Sequence, residues 1–175
     1  MTLRILTYNI RHGGAGREEP LIEVIRAGNP DIVILQEATK PAVVERLCVG
    51  TGMHVMGSRP RESLAFISRV PIVHHEWHPP RASRHAFLEI VPAGDPVRLF
   101  GLHLSAVHAA WTERRRMLEL RALLKSIEKH QHGFHLLAGD FNTLAPGEVL
   151  QTRSLPLRLR PFVWASGGRI RWRTI

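Results

Sequence analysis

The chain has 175 residues, of which 44% are hydrophobic and 22% charged, which predicts one soluble globular domain with a buried core. It contains no run of 18 apolar residues, no signal-peptide pattern and a single cysteine, Cys48, which argues against a membrane span, secretion and an internal disulfide. We therefore expect a cytoplasmic protein. The net charge of +9 predicts attraction to a polyanion, although a protein that simply uses many arginines is an equal alternative.

Alternating and continuous apolar segments predict the following elements in chain order. They are a strand at 3–10, a helix at 18–28, a strand at 31–36, a helix at 41–49 that ends at Gly50, strands at 63–68, 72–77, 85–91 and 97–104, a helix at 109–129 and a strand at 134–138. The segment after about residue 143 shows no clear period. Strand–helix units followed by a run of strands predict an α/β or α+β layered fold.

Polar side chains stand at the ends of four predicted strands. Asn9 closes the first strand, Glu37 follows the next, and Asp140 and Asn142 follow the last. Because an acid beside a core strand needs a partner and Mg²⁺ prefers oxygen ligands, Glu37 is a candidate metal ligand. Asp140 and Asn142 point the same way in an extended segment, where they can orient a water and hold a phosphate oxygen. His103, at a fourth strand end, can donate to phosphate or carry a proton.

Five segments carry a family pattern when they are taken together and in order. The segments are Thr7-Tyr8-Asn9-Ile10-Arg11, Leu35-Gln36-Glu37, residues 65–72, Gly101-Leu102-His103-Leu104 and Gly139-Asp140-Phe141-Asn142-Thr143. Over roughly residues 2–145 the chain resembles the endonuclease/exonuclease/phosphatase superfamily, which is DNase I-like. That group includes pancreatic-type DNases, abasic-site endonucleases, sphingomyelinases and inositol polyphosphate phosphatases.

The resemblance implies a fold and an activity. The fold is a four-layer α/β/β/α sandwich of two mixed, mostly antiparallel sheets. The activity is hydrolysis of phosphoester bonds, as in a phosphodiesterase or nuclease, with Mg²⁺ or Mn²⁺ as cofactor and water attacking in line at a metal-bound phosphate. The expected partner is a phosphate-containing substrate: a nucleic acid, a nucleotide or a phospholipid head group.

The resemblance also implies roles for five residues. Asn9, Glu37 and Asp140 would hold the metal. His103, Asp140 and Asn142 would act in catalysis, with Asp140 orienting or deprotonating the water. Asn9 and Asn142 would contact the phosphate.

The sequence departs from the superfamily pattern after Asn142, because the closing Asp-His pair is absent. No aspartate follows Asp140, and the last histidine is His135. We therefore expect one domain over residues 1–175 that is truncated at its C-terminus, lacks the final strands and has impaired activity, since losing a catalytic acid or base costs about 10²–10⁴-fold in rate. Glu62 and Arg84 align only loosely with catalytic or phosphate-contacting positions.

Structural interpretations of the same residues stay open. Asn9 can cap a turn, Glu37 can begin the following helix, residues 139–142 can form a plain turn, and His103 can be a hydrogen-bonded strand histidine. The histidines at 74, 75, 78, 130, 132 and 135 lack a recognised zinc spacing and favour the surface. Residues 114–116, three arginines, favour a solvated helix face. The alternative function is a catalytically impaired, basic polyanion-binding module on the same fold, which would bind without metal.

Overall fold

The computed structural model describes residues 2–79, 85–105, 110–128 and 134–142, with Leu157 and Pro161 as isolated positions. Within these residues the elements in chain order are β1 (Ile5–Asn9), α1 (Glu18–Gly28), β2 (Ile32–Gln36), α2 (Pro41–Thr51), β3 (Val55–Gly57), β4 (Leu64–Ser68), β5 (Ile72–His78), β6 (Phe87–Pro92), β7 (Arg98–His103), α3 (Ala110–Ile127) and β8 (His135–Asp140). Every predicted strand and helix is present in the predicted order, and β3 is an additional strand.

Three local predictions were wrong. The short strand β3 was not predicted, and β8 extends two residues further, through Gly139 and Asp140. Helix α2 does not stop at Gly50; it continues to Thr51 and ends at Gly52, whose φ is +72°. Gly50 serves packing instead, because a Cβ there would overlap the side chain of Ile22 on α1.

The strands form two four-stranded sheets. The first has the order β1-β2-β4-β3 and the second β5-β6-β7-β8. In each sheet one pair is parallel, β1 with β2 and β7 with β8, and the other two pairs are antiparallel. The prediction of two mixed, mostly antiparallel sheets is confirmed.

Three hydrophobic clusters hold the layers together. The middle cluster joins the sheets, with Ile34 and Phe66 of the first against Leu88 and Leu99 of the second. A second cluster packs α1 and α2 on the outer face of the first sheet, and a third packs Leu123 of α3 on the outer face of the second. Burial of these apolar side chains provides the main stabilisation of the fold. The predicted four-layer α/β/β/α sandwich is therefore confirmed.

The parallel pairs decide where the polar strand ends meet. Asn9 at the end of β1 pairs with Gln36 at the end of β2. His103 at the end of β7 pairs with Asp140 at the end of β8. The side chains of Asn9 and Asp140 are hydrogen-bonded to each other, so both pairs of strand ends lie on the same side of the sandwich.

The structure bears on two features discussed from the sequence, the apolar segments and the single cysteine. Across the described residues, no helix is long and apolar enough to cross a membrane. Cys48 is a buried free thiol in α2, and its Sγ lies 3.3 Å from the carbonyl oxygen of Met53.

Candidate active site

Asn9 links the two acids of the site. Its side-chain Nδ2 donates to Oε1 of Glu37 over 3.1 Å and to Oδ2 of Asp140 over 3.0 Å. Its Oδ1 accepts from the backbone N–H of Arg11 over 2.9 Å, so the amide nitrogen faces the acids and the oxygen faces the chain. One side chain thus brings together two carboxylates from different sheets.

Glu37 lies between β2 and α2, and hydrogen bonds hold both its side chain and its backbone. Its Oε2 accepts from the backbone N–H of His12 over 2.6 Å, and its own N–H donates to Oγ of Ser63 over 3.3 Å. Burial raises the pKa of Glu37, but hydrogen bonds from His12 and Asn9 and the nearby histidines outweigh it, so the pKa lies below its usual value. Glu37 is therefore ionised at neutral pH.

The backbone around the site is strained. Arg11, His12, Glu37 and Asn142 have φ values of 48°, 53°, 56° and 50°, in the left-handed region that non-glycine residues rarely adopt. The turn that holds the first two is tied by the guanidinium of Arg17, which donates to the carbonyl oxygen of Ile10 over 2.6 Å. Such conformations cost about 1–3 kcal/mol each and persist where surrounding contacts fix them, commonly at functional sites.

Asp140 and Asn142 wrap around the end of β7. Oδ1 of Asp140 accepts from the backbone N–H of Asn142 over 2.8 Å, and its backbone oxygen accepts from the N–H of Leu104 over 2.9 Å. Nδ2 of Asn142 donates to the carbonyl oxygen of Leu104 over 2.7 Å. Asp140 is thus fixed in position, and among the described residues each of its carboxylate oxygens accepts one hydrogen bond, which leaves each a second lone pair for a ligand.

Gly139 makes this wrapping possible. Its φ is +150°, and a Cβ there would overlap the carbonyl oxygen of Leu102 and lie 2.8 Å from the nitrogen of Leu102. Only glycine permits so close an approach of β8 to β7. The glycine of the Gly139-Asp140-Phe141-Asn142 segment therefore positions Asp140.

His103 is buried at 8% relative exposure. Its Nδ1 lies 2.5 Å from Oγ of Ser63, and its ring stacks on His85 with centroids 4.9 Å apart and planes 9° from parallel. Burial lowers the pKa of His103 and outweighs the opposing charges of Asp140, Glu37 and Glu119. His103 is therefore neutral at pH 7.

Ser63 was not among the predicted site residues. Its hydroxyl bridges the N–H of Glu37 and Nδ1 of His103, and so joins the first sheet to the second. A serine before an apolar strand carries no sequence signal for this contact. Glu62, which precedes Ser63 and was a loosely aligned candidate site residue, is partly exposed. Within the described residues its side chain makes no hydrogen bond to the site. Arg84 lies outside the described residues.

A buried polar network joins α3 to Ser105, just after β7, and it was not predicted from the sequence either. Glu119, which is 0% exposed, accepts from the backbone N–H of Ser105 over 3.0 Å and from its hydroxyl over 2.6 Å. Arg116, which is 4% exposed, donates to the carbonyl oxygen of Ser105 over 2.9 Å. The prediction of a solvated arginine face holds for Arg114 and Arg115, which are exposed, and was wrong at Arg116.

The carboxylates of Glu37 and Asp140 fit a hard divalent cation, whereas Asn9 turns its amide nitrogen to them and so does not offer the metal-ligating oxygen that the resemblance implied. Two carboxylates approach one amide nitrogen, so their oxygens lie no farther apart than the sum of two hydrogen-bond lengths. Repulsion between two carboxylates this close raises the free energy of the folded site, and a cation between them removes that cost. Oxygen donors of this kind are those that Mg²⁺ and Mn²⁺ prefer.

The layered fold and its acidic strand-end site define a DNase I-like α/β/β/α sandwich. The Endonuclease/Exonuclease/phosphatase family matches residues 6–174, and the chain belongs to that family. No sequence among the curated proteins matches this chain.

Several solved structures share the fold at low sequence identity. D. rerio TDP2 in complex with a single-strand DNA product is 22% identical, with a TM-score of 0.66, over 82% of this chain and 62% of that one. An endonuclease/exonuclease/phosphatase protein from Beutenbergia cavernae is 24% identical, with a TM-score of 0.63, over 83% of this chain and 50% of that one. An AP endonuclease from Archaeoglobus fulgidus is 19% identical, with a TM-score of 0.58, over 87% of this chain and 62% of that one. The chain thus spans less than two thirds of these relatives.

Proposed function

We propose that this chain hydrolyses phosphoester bonds at the cluster of Asn9, Glu37 and Asp140, with a divalent cation such as Mg²⁺ or Mn²⁺. The observation that carries the proposal is the convergence of two carboxylates on the amide of Asn9. Membership of the Endonuclease/Exonuclease/phosphatase family supports the same reaction class.

Glu37 and Asp140 would hold the cation, and Asn9 would keep them apart and in place. A cation held by Glu37 and Asp140 would supply Lewis-acid polarisation of a phosphoryl oxygen and would offset the charge that develops there. Asp140 orients a water for in-line attack, since the N–H groups of Asn142 and Leu104 fix both its side chain and its backbone. This arrangement contributes positioning, which is a large part of phosphoryl-transfer catalysis.

His103 would act as a hydrogen-bond donor to the phosphate. The Ser63 hydroxyl accepts from the N–H of Glu37, and its own proton is free to donate to Nδ1 of His103. In that tautomer Nε2 carries the proton and can donate to a phosphate oxygen. A neutral His103 favours this role over that of a fixed positive charge.

We propose nucleic acid as the substrate class. The chain carries 24 Lys and Arg against 15 Asp and Glu, and such an excess raises the encounter rate with a polyphosphate. The fold shared with a TDP2 bound to a single-strand DNA product supports the same class.

The experiment is a hydrolysis assay with single-stranded DNA, double-stranded DNA, bis(p-nitrophenyl) phosphate and sphingomyelin, each with Mg²⁺ or Mn²⁺ and with EDTA. We expect metal-dependent cleavage of a nucleic-acid substrate that Glu37→Gln and Asp140→Asn each reduce by about 10²-fold or more. Glu23→Gln is the matched control, because Glu23 is exposed on α1. Full activity in both site variants would overturn the assignment, and cleavage of sphingomyelin alone would overturn the substrate class.

A binding measurement separates this proposal from a non-catalytic module. Affinity for single-stranded DNA is measured with and without EDTA at two salt concentrations. Steep salt dependence that EDTA leaves unchanged, together with no cleavage of any substrate, would favour the basic binding module.

A further inference from the structure

A second group of ionisable side chains lies on the outer face of the second sheet. His74, Glu76 and His78 alternate along β5 and so point to one face. Glu76 pairs directly with Glu89 of β6. Two carboxylates placed directly opposite each other on neighbouring strands are destabilising, and the guanidinium of Arg98 offsets part of this cost at Oε1 of Glu89.

This face is separate from the candidate active site. Glu89 alternates with Leu88 and Ile90, which pack between the sheets, and so shares the outward direction of Phe87, which packs against α3. His103 reaches Ser63 of the first sheet, so it points to the opposite side. The two sites therefore share no side chain.

The side chains approach one another at distances close to those of a metal site. Nε2 of His74 lies 3.8 Å from Oε2 of Glu76 and 4.0 Å from Oε2 of Glu89. The three atoms all lie within 4.8 Å of one another. Bonds of about 2.0–2.2 Å to a tetrahedral zinc ion place ligand atoms roughly 3.3–3.6 Å apart, so small rotations of two exposed side chains bring them into range.

Glu89 is held as a preformed ligand. Its side chain is 2% exposed, Arg98 donates to Oε1, and Nε2 of His78 lies 2.8 Å from Oε2. Burial raises the pKa of Glu89, but His78 and Arg98 outweigh it and keep the carboxylate ionised. Ligating carboxylates in metal sites are commonly fixed by such hydrogen bonds.

The other two ligands leave the site open. His74 and Glu76 are 49% and 53% exposed, so an ion can enter from solvent and water can complete its coordination. A mixed nitrogen and oxygen donor set suits a transition ion such as Zn²⁺ better than Mg²⁺.

We propose that His74, Glu76 and Glu89 form a second metal site, which takes Zn²⁺ or a similar transition ion, with His78 and Arg98 holding Glu89. Among the strands that the structure describes, β5 is the edge of its sheet. A metal shared by β5 and β6 would fasten that edge strand, so binding should raise the stability of the fold.

The test is a titration with Zn²⁺, followed by calorimetry and by the thermal unfolding midpoint. It is run on the unaltered chain and on a Glu37→Gln/Asp140→Asn chain that lacks the active-site acids. We expect Zn²⁺ to bind both and to raise both midpoints, and we expect His74→Ala and Glu76→Gln each to weaken binding by tenfold or more. Both substitutions lie at exposed side chains, so circular dichroism should show an unchanged fold. His54→Ala, another exposed histidine, should bind as the unaltered chain does.

Two results would overturn the proposal. One is unchanged Zn²⁺ affinity in both His74→Ala and Glu76→Gln. The other is loss of all Zn²⁺ binding in the Glu37→Gln/Asp140→Asn chain, because the ion would then occupy the candidate active site instead. Neither result depends on hydrolysis, so the proposed function stands or fails separately.

Discussion

The amide of Asn9 donates to Oδ2 of Asp140 over 3.0 Å, although 131 residues separate them in the chain. This bond joins the end of β1 in one sheet to the end of β8 in the other. The same nitrogen also donates to Glu37, so it separates two like charges. We therefore expect the position of this amide to affect both the stability of the metal-free site and the proposed binding of a cation.

Replacing Asn9 with Asp should make stability depend on metal. Asn9→Asp removes the donor that both acids share and adds a third carboxylate, so the free energy of unfolding in EDTA should fall by about 2 kcal/mol or more. Mn²⁺ should then restore more stability in Asn9→Asp than it adds to the unaltered chain. Denaturant unfolding in EDTA and in Mn²⁺ measures both values. Equal stability of the two chains in EDTA would contradict the arrangement.

Replacing Gly139 with Ala should disrupt β8. The added Cβ would overlap the backbone of Leu102, and since backbone cannot yield as a side chain can, we expect a loss of about 3 kcal/mol or more. Gly16→Ala is the control, because Gly16 also has positive φ but has no atom within 4 Å of an added Cβ. That variant should lose only the conformational cost of about 1 kcal/mol. Similar losses in both variants would show that β8 is not so close to β7.

The free energy of unfolding should fall as the pH drops from about 7 to about 5, in part through His103. Burial lowers the pKa of His103 in the folded protein, so between the folded and unfolded pKa values the unfolded chain binds more protons. Stability therefore rises with pH in that window and is lost below the unfolded value of about 6.5. His103→Gln should show a smaller loss over the same range in EDTA. Identical pH dependence of the two chains would contradict a buried neutral histidine.

Replacing Glu119 of α3 with alanine should lower the free energy of unfolding substantially. Glu119→Ala leaves the N–H and hydroxyl of Ser105 without their acceptor and removes the ion-pair partner of Arg115, so we expect a loss of about 3 kcal/mol or more. Glu128→Ala, at an exposed position just after the same helix, should change stability by less than about 0.5 kcal/mol. Equal effects of the two substitutions in denaturant unfolding would contradict a buried network.

The sequence predicts the parts of the fold that depend on local pattern. Helix α1 has the predicted bounds because Leu21, Ile22 and Ile25 form one apolar face and Asn29 ends it in the left-handed region. The strand-end location of Asn9, Glu37 and Asp140 was also predictable, since apolar runs end abruptly at polar residues. Local pattern does not identify Gly50 as a packing glycine, because that depends on where Ile22 of another helix lies.

Contacts between distant segments could not be predicted from one sequence. Ser63 meets His103 only because β4 lies in one sheet and β7 in the other. Glu76 faces Glu89 only in the observed β5–β6 register, and a shift of one residue would turn one of them to the other face. Buried polar partners such as Glu119 look like ordinary helix residues until the helix is docked.

Binding of Mn²⁺ measured by calorimetry tests the central claim most directly, because it needs no substrate. The titration is run in a His74→Ala background so that the second site does not contribute. We predict one site whose affinity falls at least about tenfold with Glu37→Gln and with Asp140→Asn, while Glu23→Gln leaves it unchanged. Unaltered Mn²⁺ affinity in both Glu37→Gln and Asp140→Asn would contradict a cation site at these residues.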